Sequence, residues 1–227
     1  MKSKILGLVA VGVMSTPLLA SATELLSNGG FETGDFTGWT RITSGAPFID
    51  WTVSTAGGGS GFFPFTSPQE GVYDAWNGFD GDGPMSFALY QDVTIPGSTT
   101  ALLSWTHRAQ WDFALVGTAT QPRLFEVQLR DPGTNAVLDT LYSFSTGTAR
   151  VVGDTGWISA AADLSAFAGS SVRVYFLESI PESFTGPGQL EIDAVSLRTP
   201  VPEPASLALL GLGLGLAGLG LSRRRKA

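Results

Sequence analysis

Three carboxylates and an amide fall within one short stretch, at Asp74, Asn77, Asp80 and Asp82, with glycines between them. Hard oxygen donors of this kind suit a cation such as calcium. The stretch lacks the complete EF-hand pattern and its distal glutamate. Asp, Asn and Gly are also the ordinary residues of turns, so an acidic turn is the preferred reading. Six tryptophans offer a second chemistry. An exposed indole face stacks on the apolar face of a sugar ring, while neighbouring carboxylates and amides bond its hydroxyls. Trp39, Trp105 and Trp157 lie in strand-like segments and are expected in the core. Trp51, Trp76 and Trp111 lie near Gly- or Asp-rich loops and are the candidates for ligand stacking, against the general tendency of tryptophan to be buried. The one histidine, His107, has no nucleophile motif such as Gly-x-Ser-x-Gly to serve. A structural role is expected for it. Twenty acids offer many carboxylate pairs for glycoside hydrolysis, but nothing marks any one pair. The chain is therefore read as non-enzymatic.

The elements that carry these residues come from three unequal pieces. The chain has 227 residues, with 13 Lys+Arg against 20 Asp+Glu. It has no cysteine, so neither a disulfide scaffold nor a thiol nucleophile is available. A pI near 4.6 argues against a nucleic-acid partner. The mean hydropathy of +0.19 is high, and the ends account for it. Residues 1–22 read as a secretory signal peptide: Lys2 and Lys4, an apolar run, then Ala20-Ser21-Ala22 as a small-residue exit. At the other end, the uncharged run Ala205–Leu221 reads as a short transmembrane helix. Residues 222–227 form a basic tip expected on the cytoplasmic side. Between the ends, seven arginines face 20 acids with no lysine, a net charge of -13.

Residues 23–199 alternate apolar and polar in several short runs. Phe125, Val127 and Leu129 alternate with Glu126, Gln128 and Arg130. Val172, Val174 and Phe176 alternate with Ser171, Arg173 and Tyr175. Further strands are expected over Trp51–Ser54, Val72–Trp76, Met85–Ile95, Ala101–Arg108, Ala136–Phe144, Gly156–Ala162 and Gln189–Arg198. Turn signals at Pro96-Gly97, Asp131-Pro132-Gly133 and Gly186-Pro187-Gly188 separate them. Asp163–Gly169 reads as one helical turn with an aspartate cap and a glycine stop. The pattern predicts an all-β fold, an antiparallel β-sandwich.

Pro202-Glu203-Pro204, a glycine- and leucine-rich span and Arg223-Arg224-Arg225 together resemble the PEP-CTERM sorting signal, with residues 200–204 as the linker. The resemblance implies an exported protein of a Gram-negative bacterium that makes extracellular polysaccharide. It further implies a transient inner-membrane anchor and a tail recognised by an exosortase, a transpeptidase-like membrane enzyme that cuts near the Pro-Glu-Pro. Within the middle piece, Leu26-Ser27-Asn28-Gly29-Gly30-Phe31-Glu32 with Gly38-Trp39, and the closing Leu190–Val195, resemble galactose-binding-like jelly rolls and carbohydrate-binding modules. In such modules a structural calcium often ties the first strand to the last. The resemblance assigns that place to Glu32 and Asp193, with Ala194 standing where many relatives carry a second acid. The expected function is a surface or matrix protein associated with exopolysaccharide or adhesion. The alternatives are a specific glycan-binding module and, after it, a glycoside hydrolase.

Overall fold

A computed structural model describes residues 22–199, apart from 57–59, 98–99 and 116–118. The expected signal peptide up to Ser21, the linker, the expected membrane span and the sorting residues Pro202, Glu203, Pro204 and Arg223 to Arg225 lie outside the described residues. Among those described, no helix is long and apolar enough to cross a membrane.

Residues 22–200 form one compact unit. Its strands are β1 (Thr23–Glu24), β2 (Thr40–Ser44), β3 (Ile49–Ser54), β4 (Asp74–Phe79), β5 (Met85–Thr94), β6 (Leu102–Asp112), β7 (Leu124–Arg130), β8 (Val137–Ser145), β9 (Val152–Asp154), β10 (Ile158–Asp163), β11 (Ser171–Ile180) and β12 (Gly188–Thr199). They make two antiparallel sheets. The first runs β10-β6-β12-β4-β3, with β1 added to β12 and β9 to β6, and the second runs β2-β5-β11-β7-β8. The fold is the expected all-β sandwich.

Alternation explains the inner layer. Phe125, Val127 and Leu129 of β7 and Val172, Val174 and Phe176 of β11 are buried, as their period-2 spacing requires. From the first sheet Leu103, Trp105, Leu190 and Ile192 meet them. Trp105 packs edge-on against Phe176, with ring centroids 6.2 Å apart. The helical turn shrinks to a single 3-10 turn, Ser165–Phe167. The Asp163 carboxylate accepts the Ser165 N–H at 2.8 Å, and Gly169 ends the turn at a φ of +84°. Three strands lack an apolar alternation and were not expected: the two-residue β1, β2, an edge strand largely exposed, and the three-residue β9.

β12 sits between β6 and β4, and its parity changes midway. Leu190 and Ile192 face inward, a bulge follows between Asp193 and Ser196, and Val195 and Leu197 then face inward instead. Ala194 makes the bulge at a φ of +52°. The loop that opens the domain docks there: the Val195 N–H donates to the Gly29 carbonyl at 3.0 Å. A Cβ on Gly29 would lie 1.7 Å from the Val195 carbonyl oxygen, so only glycine fits this approach. Gly29→Ala is expected to destabilise the domain by roughly 2–4 kcal/mol, among the larger single-site effects. A denaturant midpoint equal to that of the parent chain would show that the loop yields without cost.

Candidate functional site

The outward side of β12 carries Gln189, Glu191 and Asp193, which are 1, 0 and 0% exposed. The connection from β3 to β4 covers them through residues 60–70. Ser60 donates to the Gln189 amide oxygen at 3.1 Å, Thr66 donates to Glu191, and the Gln69 and Glu70 N–H groups donate to Asp193 Oδ2 at 2.6 and 2.8 Å. Register adds a third acid. Ile192 pairs with Ala75, so the next step along both strands sets Asp193 beside Asp74. Asp74 is fully buried, and neither of its carboxylate oxygens has a hydrogen-bond donor. Burial, then the charges of Glu191 and Asp193, push its pKa up to about 8. Burial also raises Asp193, to about 6, and raises Glu191.

The sign of the resulting pH dependence follows from linkage. Asp74 holds its proton more tightly folded than unfolded, where the value is 3.8. Its contribution to stability is therefore complete at pH below about 4 and is lost as the pH rises towards 8. Asp74→Asn keeps the shape and removes the titration. The variant is expected to melt close to the parent at pH 4 and increasingly above it towards pH 9. A constant difference across that range would remove Asp74 as the source.

Glu32 grips the other end of the same connection. Its Oε1 accepts the N–H groups of Val72 and Tyr73 at 2.8 and 2.9 Å. Gly71, at a φ of +60°, leaves the room that the carboxylate occupies. The two carboxylates assigned to calcium are thus brought to one stretch, residues 69–73, Glu32 holding its end and Asp193 its start. The Glu70 side chain lies beside Gly30, and its charge helps raise Asp193. Oxygen donors suit calcium chemically, yet among the described residues no three acidic or histidine side chains converge as a metal-holding group.

The stretch Asp74, Asn77, Asp80 and Asp82 does not assemble into a cation loop. β4 runs through its first half, and side chains three apart on a strand face opposite ways. Asp74 lies under the β3–β4 connection, Asn77 is buried opposite the inward Leu190, and Asp80 and Asp82 follow in the turn to β5. The stacking expectation for the tryptophans is also corrected. Trp51, Trp76 and Trp111 are 2, 5 and 9% exposed. Trp51 packs edge-on against Phe87, and Trp111 packs against Phe144 with Gly153 over its ring. Trp76 lies beneath the connection and donates from Nε1 to Ser54. The strands extend through residues that read as loop neighbours, and burial follows. His107 is fully buried between Phe125 and Tyr142, and burial lowers its pKa to about 4, which keeps the ring neutral.

The outer face of the second sheet is built differently. Among the described residues its side-chain hydrogen bonds run within the sheet or to the turn at residues 132–135. Tyr90 of β5 and Tyr175 of β11 are cross-strand partners, stacked at 5.6 Å with 15° between their planes. Arg173 lies 4.0 Å from the Tyr90 ring centre and Arg130 lies 3.7 Å from that of Tyr175. At one end of the face Ser44, Ser86 and Ser179 stand side by side on three neighbouring strands. They line an open hollow of about 300 Å³ with Pro84, Met85, Ile180 and Pro181, without a charged side chain. Sequence reasoning missed this face. The available signal was aromatic: Tyr90 and Tyr175 fall on the polar side of strands whose alternate residues are buried.

With this geometry established, comparison with known proteins adds a sorting address and a fold. Residues 200–226 match the PEP-CTERM protein-sorting motif. The chain therefore carries that signal directly after β12. No curated protein matches the chain. Among solved structures, the K3 cleaved adhesin domain of Lys-gingipain from Porphyromonas gingivalis W83 is similar over 78% of this chain and 99% of that one, at 16% identity and a TM-score of 0.50. TmCBM61, solved with β-1,4-galactotriose, matches over 77% and 97%, at 18% identity and a TM-score of 0.48. A Stig cyclase from Fischerella sp. TAU matches over 80% and 100%, at 15% identity and a TM-score of 0.44. These likenesses concern the sandwich fold.

Proposed function

We propose that this chain is an exported protein of the surface or extracellular matrix of a Gram-negative bacterium, and that its sandwich domain binds extracellular polysaccharide without catalysis. The sorting motif carries the reading. It begins at residue 200, immediately after β12 closes the sandwich at Thr199. An exosortase-like enzyme is the processing partner, and the apolar run Ala205–Leu221 is a transient inner-membrane anchor. The strand rows β4-β12-β6-β10 and β5-β11-β7-β8 support a jelly roll, in which the chain passes back and forth between the sheets. Binding without chemistry is supported by the buried, neutral His107 and by the use of Glu32 and Asp193 as backbone acceptors. Polysaccharide is supported by the half-buried Tyr90, the arginines laid over the tyrosine pair and the hydroxyl row on the second sheet, Tyr175 itself being covered by Arg130. Deleting residues 201–227 is expected to shift the protein from membrane and surface fractions into the soluble exported fraction. An unchanged distribution would overturn the sorting reading.

We also propose that calcium reinforces the junction of the opening loop, residues 69–73 and β12. Glu32 Oε1 is engaged with backbone N–H groups, while Glu70 adds a further negative charge next to Asp193. Calcium would offset that repulsion, with Glu32 and Asp193 as ligands. A hundredfold excess over the dissociation constant would add about 2.7 kcal/mol. The melting temperature is expected to rise from EDTA to millimolar calcium, and Glu32→Gln is expected to abolish the rise. Identical melting in both conditions would leave the carboxylates as backbone acceptors alone.

A further inference from the structure

We infer that Arg130, laid on the stacked tyrosines of the second sheet, is the recognition point for the carboxylate of an acidic sugar within a polysaccharide chain. The inference rests on the proposed polysaccharide reading and names the class of sugar. Arg130 of β7 stands directly opposite Arg173 of β11. Like charges placed so are unfavourable unless something neutralises them. Arg173 is neutralised: its fork takes both oxygens of Asp92 at 2.6 and 2.9 Å, and it also donates to Asn135 and the Pro132 carbonyl. Arg130 has no such partner. Its Nε donates to Gln128 Oε1 at 2.7 Å, and among the described residues neither terminal nitrogen meets an acceptor. Arg108 and Arg198, by contrast, each face a carboxylate.

The idle fork is held ready. The Tyr175 ring lies 3.7 Å beneath the guanidinium carbon. Gln128 fixes Nε and is itself fixed, because its amide nitrogen donates to Glu126 at 2.8 Å. A planar guanidinium clamped on one face and at one nitrogen presents its remaining donors as a fork, which matches a carboxylate better than a lysine ammonium does. The rest of the face suits sugar hydroxyls. Ser44, Ser86 and Ser179 lie six residues along β5 from the Asp92–Arg173–Arg130 row, roughly 20 Å at strand spacing. A ligand reaching from hollow to fork is a chain of sugars rather than one residue. A strongly acidic polymer meets general repulsion from a domain of this charge, so the attraction has to be local, which Arg130 provides as the arginine of this outer face that no carboxylate neutralises among the described residues.

Affinity electrophoresis of residues 22–199 through polygalacturonate, alginate and hyaluronate, each beside its methyl-esterified form, tests the assignment. Esterification removes the charge and keeps the sugar backbone. At least one acidic polymer is expected to retard the domain, and its ester is expected to bind roughly tenfold or more weakly, the scale of a charged hydrogen bond. Arg130→Lys, with an unchanged melting temperature, is expected to lose a similar factor, and Arg150→Lys is expected to lose none. Equal binding of acid and ester with Arg130→Lys unaffected would overturn the acid site and leave the polysaccharide reading standing. Loss on esterification with Arg130→Lys unaffected would move the anion elsewhere and overturn the assignment to Arg130. Retardation by none of the six polymers would overturn both readings.

Discussion

A strand buried on both sides has to satisfy whatever polar groups it carries, and β12 is that strand. Its inward residues meet the second sheet, and its outward residues are Gln189, Glu191 and Asp193. Buried carboxylates without donors cost far more than buried hydrocarbon. The β3–β4 connection supplies most of the donors, through Ser60, Thr66 and two backbone N–H groups. Much else depends on that fit. The bulge at Ala194 keeps Val195 and Leu197 in the core beyond Asp193, and it creates the groove that Gly29 enters. The opening loop, the connection and the last strand are therefore one polar lock, with Glu32 and Asp193 as its two bolts.

The same lock explains how far the sequence was legible. Strands such as β7 and β11 show their buried sides by alternation, because one face of each meets the core and the other meets water. The opening motif and the closing strand could be read through resemblance, and the structure joins them at Gly29 and Val195. What sequence could not show is that the outward side of β4 and β12 is roofed. Asp74 and Trp76 lie in a stretch rich in Asp, Asn and Gly and so read as part of an acidic turn and as a loop-side, ligand-facing ring. They are buried because a distant segment folds over them, a tertiary fact without local signature. The Arg130 site is hidden for a related reason: its parts lie on β5, β7 and β11 and meet only through register.

The two outer faces then divide the work. The first sheet spends its polar side chains on holding its roof, with Trp76 sealed beneath it, while Trp51, Trp105 and Trp111 turn inward against the second sheet. The second sheet has no such roof among the described residues, and Tyr90, Arg130, Arg173 and the serine row stay partly exposed there, while Tyr175 is covered by Arg130. Trp39, Trp51, Trp105 and Trp111 serve the core and Trp76 lies under the roof, whereas Trp157, expected in the core, stays half-buried, and the tyrosine pair lies on the outer face of the second sheet with Arg130 over Tyr175.

Topology fixes where that face points relative to the chain's exit. β1 pairs with the end of β12, Thr23 beside Thr199, so the described domain is entered and left at the same end. The Ser44–Ser86–Ser179 hollow lies at the other end, level with the start of β12 at Gly188, because β4 hands over to β5 and β11 to β12 there. The strands thus run from the sorting motif's point of departure towards the hollow. Their length, about 40 Å for twelve extended residues, sets the reach from exit to hollow. The charged row lies nearer the end at which β12 closes, and the uncharged hollow lies at the opposite end of the same face. That placement follows from the pairing of β1 with β12 together with the registers of β5 with β11 and of β12 with β4.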